Sequence, residues 1–183
     1  HKANMMDKII TISEHSKNSY QNTIYEEIEG RPRLECKTPI HIVHYPVKTI
    51  EPSELELNLD YNFNYLVMAQ WGPRKNIENT VRWWVEENFD QKVGLVLKVS
   101  SKNNSIMDRE HVYRNLKNMI KSVKQEDMKC KIYLLHGDLT DNQMQALYND
   151  PKIKCLVSLT HGEGFGLPIF DAACNGLPII APG

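Results

Sequence analysis

From Phe63 onward the chain alternates between short apolar runs and longer stretches in which apolar residues recur every three or four positions. The runs lie at 63–69, 93–99, 132–135, 155–159 and 178–181. Between them, Ile77, Val81, Trp84, Val85 and Phe89 form one stripe at helical period, and Val112, Leu116, Met119, Ile120 and Val123 form another. A third helix is expected over 140–149, where Thr140 and Gln143 have capping-box spacing ahead of Met144, Leu147 and Tyr148. Strands that are apolar throughout, rather than alternating in and out, are buried on both faces. The pattern therefore predicts an α/β fold, a Rossmann-like parallel sheet with helices on both faces. In such sheets ligands sit at the carboxyl ends of the strands.

Upstream the pattern is weaker. Ile9, Ile10 and Ile12 predict a short strand, Ser13 an N-cap for a polar helix running to about Tyr25, and Pro39 precedes a strand over 40–44. Between Tyr45 and Asn62 lie Pro46 and Pro52, several acids and no sustained period, which reads as a linker. We expect residues 1–47 to be the remnant of a first domain, 48–62 the linker, and 63–183 a second, ligand-binding domain. Both ends look severed: the chain opens in what reads as the end of a helix, and Ala181, Pro182 and Gly183 follow an apolar strand directly.

Of the 183 residues 41% are hydrophobic and 25% charged, which fits a folded chain, and the net charge of −1 supplies no field that would draw it to nucleic acid. Any phosphate must be held locally. The four cysteines, Cys36, Cys130, Cys155 and Cys174, have no zinc-type spacing, nor do the seven histidines, so no metal site is expected. A reduced, cytoplasmic setting fits, peripheral membrane contact stays open, and no apolar run reaches transmembrane length.

The stretch richest in chemistry follows the run at 155–159. It reads Thr160-His161-Gly162-Glu163-Gly164-Phe165-Gly166-Leu167-Pro168, three glycines at alternate positions and then a proline where a helix starts. Glycine lets a backbone approach a ligand closely, and a helix N-terminus offers free N–H groups to an anion. The same turn would equally serve as a plain strand-to-helix connection. Glu163 would repel a phosphate, so it must point at something else, such as sugar hydroxyls. Asp171 lies on a helix apolar nearly all round, expected to be buried, where a carboxylate needs a ligand or the N–H groups of its own helix start. Earlier, Trp71-Gly72-Pro73-Arg74-Lys75-Asn76 sets two cations in the loop after the first strand of the second domain.

The run from Gly162 to Ala181 resembles the signature of the GT-B retaining glycosyltransferases, mannosyltransferase-like members included. In that family two acids have seven residues between them, as Glu163 and Asp171 do; the second is usually Glu, so Asp171 is a departure. The Pro-Arg-Lys-Asn loop resembles the corresponding loop of the same family, and His136-Gly137-Asp138-Leu139 resembles its nucleobase loop. The resemblance implies that residues 1–47 are the tail of an acceptor domain and that 63–183 binds a nucleotide-diphosphate sugar, GDP-mannose or a UDP-sugar. Arg74 and Lys75 would stabilise the leaving diphosphate without a metal, and Glu163 would hold the sugar hydroxyls. Gly72, Gly137, Leu139, Gly164, Phe165, Gly166 and Leu167 would line the donor site, with Asp171 on the ribose. No cofactor is implied.

The implied reaction moves a hexosyl group, with retention, to the hydroxyl of a glycan or lipid-linked acceptor held by the first domain, as in polysaccharide assembly. The alternatives are a nucleotide-binding fragment without activity of its own and a nucleotide-sugar 2-epimerase. Trp71 flanks the basic loop as a candidate wall residue, His161 reads first as a turn histidine and second as a wall residue, and Trp84 falls on an apolar stripe and is expected in the core. No Ser-His-Asp order, HExxH or P-loop lysine pattern is present.

Overall fold

The structure, a computed structural model, describes residues 2–123 and 127–182, so the expected bounds at 1 and 183 fall outside the described residues. The chain forms two compact units, His1–Lys48 and Thr49–Gly183.

In the first unit a 3-10 turn at Lys2–Met5 stands where the end of a helix was expected, and strand β1 (Ile9–Thr11) leads into helix α1 (Glu14–Asn22). Ser13 caps α1 by accepting the Ser16 N–H at 3.2 Å. The helix ends three residues before Tyr25, because Tyr25 pairs antiparallel with Leu34. Strand β2 (Ile40–Ile42) then pairs parallel to β1, with Ile9 opposite Ile40.

The second unit is built on strands β3 (Asn64–Gln70), β4 (Gly94–Ser100), β5 (Lys131–Leu135), β6 (Ile153–Val157) and β7 (Ile179–Ile180). All pairings are parallel and the order across the sheet is β5-β4-β3-β6-β7. The intervening helices are α2 (Ile77–Asn88), α3 (Ile106–Val123), α4 (Asp141–Asn149) and α5 (Leu167–Cys174). The strand order reverses between β3 and β6, and at that point the loops leaving two adjacent strands diverge and open a crevice.

Each face of the sheet has its own core. Val67, Leu95, Leu97, Val99 and Val157 meet Ile77, Val81, Trp84, Val85, Val112 and Leu116 of α2 and α3. Leu66, Val96 and Leu156, one residue out of phase, meet Leu147, Tyr148 and Ala172 of α4 and α5. Period-two alternation sends successive apolar residues to opposite covered faces, which is why the strands read as unbroken apolar runs. A fully buried Leu or Val contributes about 1.5–3 kcal/mol, so these layers fix the strand ends from which the loops spring.

Residues 49–62 contain neither strand nor helix, yet Leu55, Leu57 and Leu59 pack into the second core and the Ser53 N–H donates to the Asn142 carbonyl at 3.2 Å. Helix α4 begins as its sequence requires. Thr140 accepts from the Gln143 N–H at 3.2 Å while Gln143 accepts from the Thr140 N–H at 3.0 Å. Strand β6 starts and stops two residues earlier than the apolar run. Ile153 pairs with Asn64, and beyond Val157 the chain turns away so that the Leu159 carbonyl can accept from the Asn76 side chain at 3.1 Å.

Candidate functional site

Two loops meet at the carboxyl ends of the strands flanking the crevice. The loop after β3 carries a 3-10 turn at Pro73–Lys75, opened by Gly72, whose carbonyl accepts the Lys75 N–H at 3.0 Å. It closes on Asn76, the single described non-glycine residue with positive φ, at 53°. Asparagine tolerates this left-handed conformation better than most residues, though at a cost of roughly 1–2 kcal/mol. Its surroundings hold it there: its amide donates to Leu159 across the crevice and its carbonyl accepts the Thr80 hydroxyl at 2.7 Å.

The loop after β6 is fastened to the first one. The His161 N–H donates to the Arg74 carbonyl at 2.9 Å, and the Thr160 hydroxyl lies 3.0 Å from that carbonyl and 3.1 Å from the carbonyl of Gly162. Of the three alternate glycines only Gly166 needs to be glycine for its conformation, with φ of 81°; a Cβ at Gly162 or Gly164 would meet nothing within 4 Å. The openness around those two leaves their backbone accessible. Gly166 starts α5 without any side-chain cap, and Pro168, which has no N–H, lies in the first turn.

The three residues expected to carry the chemistry touch one another. Arg74 donates through Nη1 to Glu163 Oε2 at 3.2 Å and also to the Gly162 carbonyl, and Lys75 Nζ donates to Glu163 Oε1. The Lys75 and Glu163 side chains are 16% and 19% exposed, whereas Arg74 is 59% exposed. Burial by itself raises the Glu163 carboxyl, but hydrogen bonds and charge from Lys75 and Arg74 outweigh it and hold the group below its ordinary value. The result is an anchored carboxylate between two cations, one sheltered and one reaching into solvent.

The third expected loop, 136–139, leaves β5 on the same edge of the sheet, two strands from β3. At about 4.8 Å per strand that is roughly 10 Å away, a distance the length of a nucleotide can bridge. Gly137 has φ of 111°, which glycine alone adopts readily, and its carbonyl accepts from Lys98 of β4. The Leu139 side chain packs against the second core, so only its backbone faces the edge.

One expectation requires correction. Asp171 and half of the α5 residues are exposed, and Ala172 is the only buried residue of that helix. Helix α5 turns one narrow stripe to the sheet, with Ile169 and Ala172 in the core, so an all-apolar sequence here does not mean all-round burial. The desolvation reasoning for Asp171 therefore falls away, although its charge acts on Tyr148, whose hydroxyl is held above its ordinary value by burial first and Asp171 second. Phe165 is 38% exposed and lies with its ring centroid 5.2 Å from that of Phe170.

A second pair carries no mark in the sequence. His136 Nε2 lies 3.0 Å from Asp108 Oδ2, with side chains 1% and 6% exposed. Asp108 also accepts the N–H groups of Ser101 and Lys102 at 2.8 and 2.9 Å. Twenty-eight residues separate the two, with no spacing to betray them. Asn76 and Thr160 were likewise overlooked as connectors; the signal available was an Asn directly before a helix and a Thr directly before a glycine turn.

No protein-family model matches the chain, and no curated protein matches it. Solved structures do. TarM matches with a TM-score of 0.60 at 16% identity, covering 98% of this chain and 30% of TarM. The OtsA apo structure matches with a TM-score of 0.60 at 9% identity, covering 96% and 45%. The E. coli trehalose-6-phosphate enzyme bound with UDP-2-fluoro glucose gives 0.59 at 11% identity, with 96% and 45% covered. The chain thus spans less than half the length of each of these proteins. No described helix is long and apolar enough to cross a membrane, and no metal-type cluster of His, Cys, Asp or Glu occurs among the described residues. At these identities the likeness speaks to fold alone: this chain, with its parallel five-stranded sheet flanked by helices, has the fold of the matched part of these GT-B proteins.

Proposed function

We propose that the second unit binds a nucleotide-diphosphate sugar and that the protein it represents transfers the hexosyl group to an acceptor hydroxyl with retention, without a metal. The observation that carries this reading is the contact of Arg74, Lys75 and Glu163 at the point where the strand order reverses. Two cations beside one acid leave a net positive charge, at a place where the free N–H groups at the start of α5 add to the field. A diphosphate suits that field, and a neutral sugar hydroxyl suits the acid.

In this reading Arg74 and Lys75 are catalytic residues that neutralise charge on the leaving diphosphate as the glycosidic bond breaks. Glu163 gives up part of its hold on them and accepts hydrogen bonds from the hexose. Gly72 and the backbone of Gly164, Phe165, Gly166 and Leu167 line the diphosphate and sugar, while Gly137 and Leu139 meet the base through their backbones. Asp171, exposed on α5, is assigned to the ribose. Support comes from the neighbours: one TarM structure is a complex with UDP, and the E. coli trehalose-6-phosphate structure is bound with UDP-2-fluoro glucose. A mannosyl rather than glucosyl donor, a glycan or lipid-linked acceptor, a role in polysaccharide assembly and a cytoplasmic site are further proposals that rest on the sequence resemblance.

A second reading, nucleotide binding without turnover by this chain, is favoured by its covering only 30% of TarM and 45% of OtsA. A thermal-shift screen of UDP, GDP, ADP and their sugars tests what both readings share, since a ligand at 100 times its Kd stabilises the folded state by about 2.7 kcal/mol. A rise in Tm with one nucleoside diphosphate and its sugar supports the assignment, and no response to any of them refutes it. Product formation on adding an acceptor separates transfer from binding alone.

A further inference from the structure

Beside the ion trio lies a second recess. It is lined by Trp71, Gly72, Asn76, Glu78, Asn79 and His161 and has a volume of about 270 Å³. Arg74, Lys75 and Glu163 do not line it, although it shares the 71–76 loop and His161 with them. The volume lies just below the range of roughly 300–1,000 Å³ typical of pockets for drug-sized ligands, so it is too small for a whole nucleotide sugar and suited to a single ring.

Its chemistry selects among rings. Trp71 is half-buried, its indole packed in part against the first core, so it forms a fixed apolar wall. Glu78 occupies the second position of α2 and is exposed, and none of the described residues donates to its carboxylate. That carboxylate answers the positive end of the α2 dipole and repels a phosphate that would otherwise favour a helix start. Asn79 donates one of its two amide hydrogens to Asn76 Oδ1 at 2.7 Å, and its carbonyl oxygen serves as an acceptor. The wall thus offers one flat aromatic surface, a carboxylate, an amide oxygen and the His161 ring. Those groups match the C–H face and the hydroxyl edge of a neutral pyranose.

We propose that this recess is a pyranose subsite distinct from the diphosphate position, with Trp71 as the stacking surface and Glu78 as the principal hydroxyl acceptor. The proposal rests on the nucleotide-sugar reading above. The ring belongs either to an acceptor sugar or to the donor hexose, in which case Glu78 takes over the hydroxyl contacts assigned above to Glu163, and affinity measurements separate the two.

The experiment measures Kd by calorimetry for UDP and UDP-glucose, and by saturation-transfer NMR for methyl α-D-glucopyranoside with and without saturating UDP. The proteins are the wild-type chain, Trp71→Ala, Trp71→Phe and Glu78→Gln. In all variants UDP should bind within twofold of wild type, because its phosphates rest on other residues. A donor ring in the recess gives UDP-glucose binding weakened about tenfold in Trp71→Ala and Glu78→Gln, with partial recovery in Trp71→Phe. An acceptor ring instead leaves UDP-glucose unchanged and abolishes glycoside saturation transfer in the same two variants. Because Trp71 also packs against the core, Glu78→Gln, on the solvent side, decides the matter where Trp71→Ala fails to fold. Wild-type behaviour of Glu78→Gln and Trp71→Phe toward every probe overturns the subsite. Should UDP not bind the wild type, the nucleotide reading falls alone, and the glycoside titration without UDP still judges the recess: loss of its signal in Glu78→Gln supports it, and no signal in the wild type overturns it.

Discussion

The carboxyl edge of the second sheet carries two acid–base groupings that look alike on paper and differ in kind. At the end of β5, His136 and Asp108 are sealed, 1% and 6% exposed, and the carboxylate accepts two backbone N–H groups and bonds the imidazole. At the ends of β3 and β6, Glu163 holds Lys75 and Arg74, but Arg74 is 59% exposed and the neighbouring glycine backbone is open. The first grouping is closed to solvent and has nowhere to admit a ligand, so it ties the loop after β5 to the start of α3. The second has surplus positive charge and access. Exposure, rather than the presence of ionisable residues, separates a candidate binding site from a structural tie.

The largest expected effect is on the sealed pair. His136→Ala removes one member of a buried pair and leaves a void, and should cost about 2–4 kcal/mol in urea unfolding while leaving the wild-type fold by circular dichroism. A loss below 0.5 kcal/mol would place the pair with surface ion pairs, whose worth is about 0–1 kcal/mol. Titration offers a second view. Burial raises the Asp108 carboxyl, but the His136 bond and the Ser101 and Lys102 N–H groups overrule it and bring the group from 3.8 to about 2. A depressed carboxyl stabilises the folded state above its unfolded value. That contribution should fade as pH falls from about 4 towards 2, and Asp108→Asn should flatten the acid limb of the stability curve.

A smaller effect is expected at Asn76. Asn76→Ala places a Cβ without compensating bonds in a left-handed residue and cuts the tie to Leu159, for a loss of about 2 kcal/mol; Asn76→Gly should recover about 1 kcal/mol of it while still lacking the tie. Equal losses in the two variants would show that strain plays no part. Smallest in stability is Glu163→Gln, under about 1 kcal/mol because its cationic partners are partly solvated. Its signature lies in binding. With the competing anion gone, UDP should bind several-fold more tightly, while the preference for UDP-glucose over UDP should shrink.

Much of this architecture was legible in advance, and the reasons are local. Ile77, Val81, Trp84 and Val85 state their helix by period, and Thr140 with Gln143 states where α4 begins. The Arg74, Lys75 and Glu163 cluster was foreseeable because each residue sits at the end of a recognisable strand, and parallel strands put such ends on one edge. Failures came where tertiary context decides. Helix α5 is apolar in sequence yet buries only Ala172, so the interior placement expected for Asp171 fails. Asp108 and His136 are separated by an entire helix and strand, and nothing in their neighbours marks them as partners. The end of β6 slipped by two residues because Ser158 and Leu159 remain apolar or small while their backbone already serves the crevice.

The central claim is that Arg74 and Lys75 hold a diphosphate at the point where the strand order reverses. Calorimetric titration of UDP and GDP into the wild type and the Arg74→Ala/Lys75→Ala double variant tests it directly. The nucleotide that binds the wild type should lose about 10- to 100-fold in affinity in the double variant, the worth of one or two charge-assisted phosphate contacts. Equal affinity in the two proteins would contradict the claim.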